Sequence, residues 1–404
     1  MYDLIVVGGG AAGFFGAIQS AEAGNNLKIG ILESGSKVLT KVKISGGGRC
    51  NVTHSCFVPN DMILNYPRGE KELRGSFHKF LCGDMMEWLE KNGVPTKIEE
   101  DGRVFPNSDD SQSIIDCFLK SCQKHNIEVH TRSKVEGIEH HDALWKITTS
   151  TSSFTAKSVL WATGSSPSAW RILEGLGLKL VPPVPSLFTF KIQDGKIQDL
   201  PGLSVPNAQV KILGQPYSSQ GPLLITHWGL SGPAILKLSA WAARKLAELN
   251  YQFEIQVNWL GFTKEEVTHT LEDFRKYQGS KKISNSNFEG IPKRLWLNLL
   301  PKSIKDRNWA DLNKAGQSKL IDKLVASKFK VNGQNRFKEE FVTAGGVETQ
   351  EVNFTKMEAK GFPGLFLAGE VINIDAITGG FNFQAAWTEA YIAAQEIVKH
   401  IDQA

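Results

Sequence analysis

The chain opens Tyr2-Asp3-Leu4-Ile5-Val6-Val7-Gly8-Gly9-Gly10-Ala11-Ala12-Gly13. Leu4 to Val7 is a short apolar run, fit for a buried parallel strand. Gly8, Gly10 and Gly13 take the G-x-G-x-x-G positions. The first glycine serves a tight turn, the second lets backbone approach a pyrophosphate, and the third lets the next helix pack close to the strand. That helix is expected to be tightly packed, because Ala11, Ala12, Gly16, Ala17 and Ala21 are all small. Its N-terminus offers open N–H groups and a positive dipole end to phosphates. A second strand, Lys28 to Leu32, ends at Glu33, 20 residues beyond Gly13. A carboxylate there accepts ribose hydroxyls and disfavours a 2′-phosphate. Strand, glycines, helix, strand and acid in this order read as a Rossmann-like α/β dinucleotide fold.

The fingerprint alone suits FAD or NAD. Three later stretches favour FAD. Val159-Leu160-Trp161-Ala162-Thr163-Gly164 resembles the strand and turn that pass below the nucleotide in glutathione-reductase-type flavoproteins. Val135 to Ile138 fits a preceding strand beside the adenine. Gly364 to Glu370 resembles the late strand whose terminal acid meets the ribityl–phosphate region, with Glu370 where aspartate is usual. Thr378-Gly379-Gly380 then opens a helix expected to run through Ala385 to Val398. A helix N-terminus facing the flavin pyrimidine would stabilise negative charge on the reduced ring.

With 404 residues the chain can form two or three domains. Charged residues are 22% and hydrophobic ones 41%, ordinary for a globular protein. The net charge of +4 demands neither nucleic acid nor membrane. The first strand follows Met1 at once, so no targeting peptide is expected. No apolar run reaches the roughly 20 residues of a membrane helix. Five cysteines without a framework suit a reducing compartment, and the expected location is the cytoplasm. Paired Cys/His spacings are missing, so no metal site is expected.

Residues 1–185 alternate strands and helices and form the first part of the FAD domain. Pro182, Pro183 and Pro185 act as a breaker cluster at its exit. Residues 186–262 then read as an inserted β-rich, β-barrel-like domain. Its expected strands are Leu187–Ile192, Ala208–Leu213, Leu223–Thr226 and Tyr251–Val257, with an Ala- and Leu-rich helix at 234–249. Residues 263–330 read as a small helical basic subdomain carrying Lys281, Lys282, Lys293, Arg294, Lys302, Lys305 and Arg307 around Trp296 and Trp309. That pattern fits a solvated helical face over two core tryptophans; the alternative is a surface for nucleic acid. Residues 331–350, including Phe341–Val347, are expected to return through the inserted domain. Residues 351–404 complete a discontinuous FAD domain.

Four further motifs carry a family resemblance. They are Ser45-Gly46-Gly47-Gly48-Arg49-Cys50-Asn51-Val52-Thr53, Thr226-His227-Trp228-Gly229-Leu230-Ser231-Gly232-Pro233, Thr343-Ala344-Gly345-Gly346-Val347, and Gly379-Gly380-Phe381-Asn382-Phe383-Gln384-Ala385-Ala386-Trp387. With them the chain resembles, from end to end, the BaiN-like, aminoacetone-oxidase-related flavoproteins. The resemblance implies an FAD domain carrying an inserted β-barrel-like domain and a small helical domain. Two departures stand out. The stretch after Gly164 is shorter than the family's glycine-rich segment, and Ala390 stands where many relatives have glycine.

The residues expected to hold FAD are Gly8, Gly10, Ala11, Ala12, Gly13 and Glu33 at the first turn, and Gly47, Gly48, Arg49, Cys50 and Asn51 in the triple-glycine motif. Val135, Thr163 and Gly164 follow in the middle of the chain, and Gly369, Glu370, Gly380, Asn382 and Phe383 near its end. Arg49 suits either an anion-steadying role at the flavin or an internal salt bridge. Cys50 and Cys56 enclose five residues, which is not the spacing of a disulfide-reductase pair. Cys50 therefore reads as a close-packed neighbour of the flavin. Cys117 and Cys122 read as core residues of one helix. His227 is the candidate acid–base, able to move a proton while flavin N5 gives hydride; the alternative is a histidine that fixes a turn. Trp228, Phe188 and Phe190 are candidates for an aromatic lid.

The expected activity is an FAD-dependent oxidoreductase acting on a small or medium organic molecule. It either reduces an enone-type C=C bond or oxidises an amine or ketone. NAD(P)H is a transient electron donor at most, since no second glycine fingerprint marks a site for it. No membrane partner is expected, and nucleic acid is not the expected partner. The alternative is a flavin-containing RNA-binding or RNA-modifying protein that uses the basic helical insert.

Overall fold

Tyr2–Val7 forms the expected strand and lies inside a nine-stranded sheet, with Leu4, Ile5 and Val6 wholly buried. It pairs in parallel with Ile29–Leu32 on one side and Ser153–Trp161 on the other. Beyond these lie Glu128–His130 and Leu365–Leu367, also parallel. The registers align their ends: Val7 stands opposite Leu32 and Trp161, and Leu367 opposite Trp161. The long strand Ser153–Trp161 is shared. Its first half pairs antiparallel with Leu144–Thr149, which in turn pairs with Val135–His141. Its second half pairs with Leu365–Leu367.

The computed structural model describes residues 1–286, 288–335 and 342–403. It forms two compact units, Met1–Val184 with Lys338–Ala404, and Pro185–Phe337. The FAD-type fold is thus discontinuous.

In the first unit the helix Ala11–Ala23 is buried continuously from Ala12 to Ser20, because it is covered on both sides. The parallel strands lie on one side and the C-terminal helix Phe381–Gln403 on the other. Gly16 lets the helix sit close to its neighbours: a Cβ there would come 2.4 Å from Leu160 and 3.6 Å from Ala390. Phe15 adds an aromatic cluster with Phe80, Trp88, Phe118 and Trp387.

The second unit is built on a seven-stranded antiparallel sheet. Its order is Ser327–Asn332, Gln252–Asn258, Ser204–Ile212, Ser218–Thr226, Gly229–Ser231, Thr189–Lys191, Gln334–Asn335. The two edge strands are consecutive in sequence and joined by Gly333, whose carbonyl accepts from the Lys191 N–H at 3.0 Å. The two edges of the sheet therefore meet, as barrel closure requires.

Two of the expected divisions differ in the structure. The helices Lys264–Tyr277, Lys293–Leu299 and Lys314–Val325 do not form a separate subdomain. Leu271, Trp296, Trp309 and Leu320 share one core with Val210, Ile255 and Phe329 of the sheet. The change of composition at 263 marks a change of surface, not of core. Within that core Trp296 and Trp309 are buried, as expected, with their N–H groups on Ile283 O and Ser286 Oγ. The segment expected to return through the inserted domain divides. Val331 and Asn332, at the end of the strand Ser327–Asn332, stay in the barrel sheet with Gln334–Asn335, whereas Val342–Val347 pairs with Leu180–Ser186; Phe341 lies outside the described residues. The prolines expected to break the chain sit in that two-stranded ribbon, where few ladder donors are needed. Gly345 faces them, since a Cβ there would come 2.9 Å from Pro182 O. Among the described residues no helix is long and apolar enough to cross a membrane.

Candidate functional site

Four parallel strands end at one level, and each hands the chain to a turn that the sequence singled out. The turns are Gly8–Gly10, Glu33, Ala162–Gly164 and Ala368–Glu370. Ligands of open α/β sheets bind at this carboxyl edge.

The first turn separates its glycines by function. A Cβ at Gly8 would come 2.4 Å from Ala162 O, and one at Gly13 only 2.0 Å from Gly8 O. Those two allow strand, turn and helix to close on one another. Gly10 faces open space, with no atom within 4 Å of where its Cβ would be. It is also the N-cap of the helix, and no side chain caps it. The N–H groups of Ala11 and Ala12 open the first turn of that helix, and an uncapped N-terminus offers such donors to an anion.

Glu33 sits beside this turn. Its carboxylate accepts the N–H groups of Gly9 at 2.9 Å and Gly35 at 2.6 Å. The Gly9 carbonyl accepts the Leu39 N–H at 2.8 Å, which brings the short helix Thr40–Ile44 over the turn. Lys41 on that helix pairs with Glu370 at the end of the last parallel strand. A Cβ at Gly164 would lie 3.6 Å from the Glu370 carboxylate. Glu370 and Gly164 thus face one another, with Lys41 supplying the compensating charge. The hydroxyl Oγ1 of Thr163 is buried there without a partner among the described residues. Val135 begins its hairpin strand 8% exposed. It borders an open groove of about 490 Å³ with Ser168, Arg171 and Ile172.

The triple-glycine motif makes a left-handed turn. Gly46, Gly47 and Gly48 all have positive φ (58°, 69° and 87°), and no atom lies within 4 Å of a Cβ built at Gly47 or Gly48. These two can hold a flat ring against bare backbone. Cys50 is wholly buried, and burial pushes its thiol up to about 12 against the lowering hydrogen bond with Ser45. A thiol held protonated is inert. All five cysteines are free, and Cys117 and Cys122 are buried on the helix Ser111–Lys124.

Several of the expected ligands also make contacts within the scaffold. The Asn51 amide donates to Thr53 O at 2.9 Å and accepts from the Gly380 N–H at 3.0 Å. Asn382 clasps Ala376 through both its N–H and its C=O. Phe383 is half-buried and stacks on Trp387 at 5.5 Å. Arg49 forms the internal salt bridge of its two readings. Its guanidinium meets Glu99 at 2.6 Å and Asp109 at 3.3 Å, and lies 3.9 Å over the Phe105 ring. The hydrogen bond to Glu99 holds that guanidinium even further up its range.

Sequence reasoning missed Lys41, Gln384 and Glu389. Gln384 accepts from Thr53 Oγ1 at 2.6 Å and donates to Thr388 Oγ1 at 3.1 Å. This buried chain ties the triple-glycine motif to the C-terminal helix. Glu389 accepts the Gly369 N–H at 2.6 Å.

His227 and Trp228 lie in the second unit at the tip of the hairpin between Ser218–Thr226 and Gly229–Ser231. Both are exposed. Thr226 Oγ1 accepts the N–H groups of Trp228 and Gly229, which fixes the tip. Phe188 and Phe190, by contrast, are buried in the barrel core and form no lid. Among the described residues no cluster of His, Cys, Asp or Glu could hold a metal ion.

Charge is divided unevenly. Residues 185–337 contain 22 Lys and Arg against 12 Asp and Glu, while the rest of the chain contains 24 against 30. The modest total conceals a basic second unit.

The residues at the carboxyl edge fit FAD: an uncapped helix N-terminus behind a bare Gly10, two acids, bare glycine backbone and the unpartnered Thr163 hydroxyl. Comparison with known proteins agrees. The chain is 28% identical to the ribosomal RNA dihydrouridine synthase of Escherichia coli K12, covering 98% of both chains. It is 26% identical to the 3-dehydro-bile acid delta(4,6)-reductase of Clostridium scindens, covering 96% of this chain and 97% of the relative. The fold matches 3-ketosteroid delta1-dehydrogenase of Sterolibacterium denitrificans with a TM-score of 0.52 at 11% identity, covering 98% and 99% of the two chains. Residues 2–396 match one family throughout. The chain belongs to the HI0933-like protein Rossmann domain family and is an FAD-dependent oxidoreductase.

Proposed function

We propose that the protein reduces a C=C bond conjugated to a carbonyl, and that the bond is the one in the uracil ring of RNA. Both curated relatives described above are named for saturating such a bond, one in ribosomal RNA and one in a bile acid. The observation that carries the RNA reading is the charge of the second unit, 22 basic against 12 acidic side chains. A polyanion needs such a surface, and a free steroid does not. This departs from the expectation of a small-molecule substrate alone. Amine or ketone oxidation has no comparable support.

FAD supplies the hydride equivalent when bound. In this reading Gly10, Ala11, Ala12 and Gly13 hold its diphosphate, Glu33 its ribose, and Val135 borders the adenine. Thr163, Gly164, Gly369 and Glu370 line the ribityl chain. Gly47, Gly48 and Gly380 face the ring through backbone. Asn51, Asn382 and Phe383 position those segments. Arg49 takes no catalytic part, because two carboxylates already engage it. His227 supplies the proton that completes addition across the double bond, and NADH or NADPH is the electron donor.

The test is anaerobic incubation of the yellow protein with each nicotinamide and in-vitro-transcribed ribosomal RNA. Nucleoside mass spectrometry should show uridine gaining two hydrogens. A steroid enone reduced while the RNA stays unmodified would overturn the RNA reading and keep the reaction class. His227→Ala should retain FAD and slow turnover by about 10²-fold or more, the usual range for a lost general acid. Cofactor loss equal to that of Glu33→Ala would instead make His227 structural.

A further inference from the structure

Glu389 is 1% exposed on the C-terminal helix, two residues past Trp387. Its Oε2 accepts the Gly369 N–H at 2.6 Å, and its Oε1 is buried with no hydrogen-bond partner among the described residues. Another buried acid, Asp375, shows the usual solution, a two-pronged pairing with Arg68. Glu389 has no such cation among the described residues. Burial pushes its carboxyl up to about 8, and the Gly369 N–H is the one influence that draws it down. The titratable groups around it are Tyr66, whose hydroxyl donates to Phe381 O at 2.6 Å, and the Glu370–Lys41 pair one residue along the turn. Cys56 and Cys82 couple to Tyr66, not to Glu389.

The residue that Glu389 holds is a junction. Gly369 has φ +82°, and its missing Cβ would lie 3.1 Å from Ala12 Cβ and 4.0 Å from Ala386 Cβ. Ala12 is in the first turn of the first helix, and Ala386 is on the C-terminal helix. Glu370 follows directly and carries the pairing with Lys41. The first helix, the last parallel strand's turn and the C-terminal helix thus meet at this one residue.

We propose that Glu389 is a positioning residue for the cofactor, a neutral carboxylic acid that pins the Gly369–Glu370 turn from behind and releases it on ionisation. The inference rests on FAD occupying the cradle. A neutral carboxyl can keep one oxygen on the Gly369 N–H and leave the other dry at modest cost. An ionised one leaves a buried oxyanion half-solvated by protein, which the fold relieves by moving the turn or the helix towards water. Cofactor retention must then fall as pH rises through the titration of Glu389, because the protonated form is the one that fits the closed turn.

The experiment measures FAD release from purified holoprotein across neutral to alkaline pH, read from the fluorescence of freed flavin. Wild type should hold FAD with constant affinity at neutral pH. Above the titration its dissociation constant should climb, approaching about tenfold per pH unit. Glu389→Gln keeps an acceptor for Gly369 and cannot ionise, so its affinity should match wild type at neutral pH and stay level. Glu389→Ala should release FAD more readily at every pH. An alkaline rise in Glu389→Gln equal to that in wild type overturns the inference while the FAD reading stands. Wild-type protein that takes up no FAD overturns the FAD reading and the inference together. If Glu389→Ala fails to fold, the comparison of Glu389→Gln with wild type still decides.

Discussion

The Gly9 N–H donates to the Glu33 carboxylate at 2.9 Å, joining the acid that ends the second strand to the glycine turn that ends the first. Glu33 therefore shapes the turn, in addition to the ribose contact proposed for it. Its removal leaves the Gly9 and Gly35 N–H groups without their acceptor. Hydrogen bonds to a charged group are worth about 1.5–3 kcal/mol each. Glu33→Ala is expected to weaken FAD binding by about tenfold to a hundredfold, measured by flavin fluorescence titration. Unchanged affinity would show that the turn stands without the acid.

Lys41 carries a separate expectation. Its side chain is 52% exposed, so its pairing with Glu370 adds about 1 kcal/mol or less to folding. Without Lys41, however, Glu370 would stand at the proposed ribityl position as an uncompensated negative charge close to an anionic cofactor. Lys41→Ala should therefore lower FAD affinity clearly while moving the melting temperature little. A melting shift with intact FAD binding would make Lys41 purely structural.

The contrast between these two residues shows what the sequence could reveal. Glu33 was legible because strand, glycines, helix and acid follow one another within a single βαβ unit. Lys41 was not, because Glu370 is 329 positions away and only the parallel alignment of Val7, Trp161 and Leu367 brings the two together. Glu389 was hidden for another reason: a glutamate in an alanine-rich helix reads as a solvent-facing residue until both faces of the helix prove covered. Arg49 had two readings of equal standing, and Glu99 and Asp109 decide between them by proximity. The helical subdomain was misplaced because surface charge changes at 263 while the apolar core continues.

The basic surface of the second unit offers a test by salt. Lys302, Lys305 and Arg307 are exposed within six residues of one another. Replacing all three with glutamate should weaken binding to ribosomal RNA. It should also lower the slope of log K against log salt by about one for each phosphate no longer neutralised. FAD content should not change, since the cradle residues lie in the first unit. RNA affinity and salt slope equal to wild type would place the RNA surface elsewhere.

Glu389 should also leave a mark on folding stability, measurable in protein stripped of FAD. Its carboxyl stands at about 8 in the folded protein against 4.5 in an unperturbed chain. Below the lower value both states are protonated and the group exerts no pH effect. As pH rises from there, the unfolded chain releases the proton while the folded protein keeps it, so stability falls. The fall ends when the folded group titrates, near pH 8. At about 1.36 kcal/mol per unit, the total is on the order of 3–5 kcal/mol. Other groups act in the opposite sense: hydrogen bonding to Lys97 holds Asp109 below its ordinary value, and the Gln112 N–H does the same for Asp110. Their contribution is lost as pH falls, which masks Glu389 in wild type alone. Glu389→Gln removes only the Glu389 contribution. The difference in unfolding free energy between wild type and variant should therefore tilt steadily against wild type from mildly acidic to neutral pH and level off in mild alkali. A difference that stays flat with pH would mean that Glu389 is ionised in the folded protein and has found a partner.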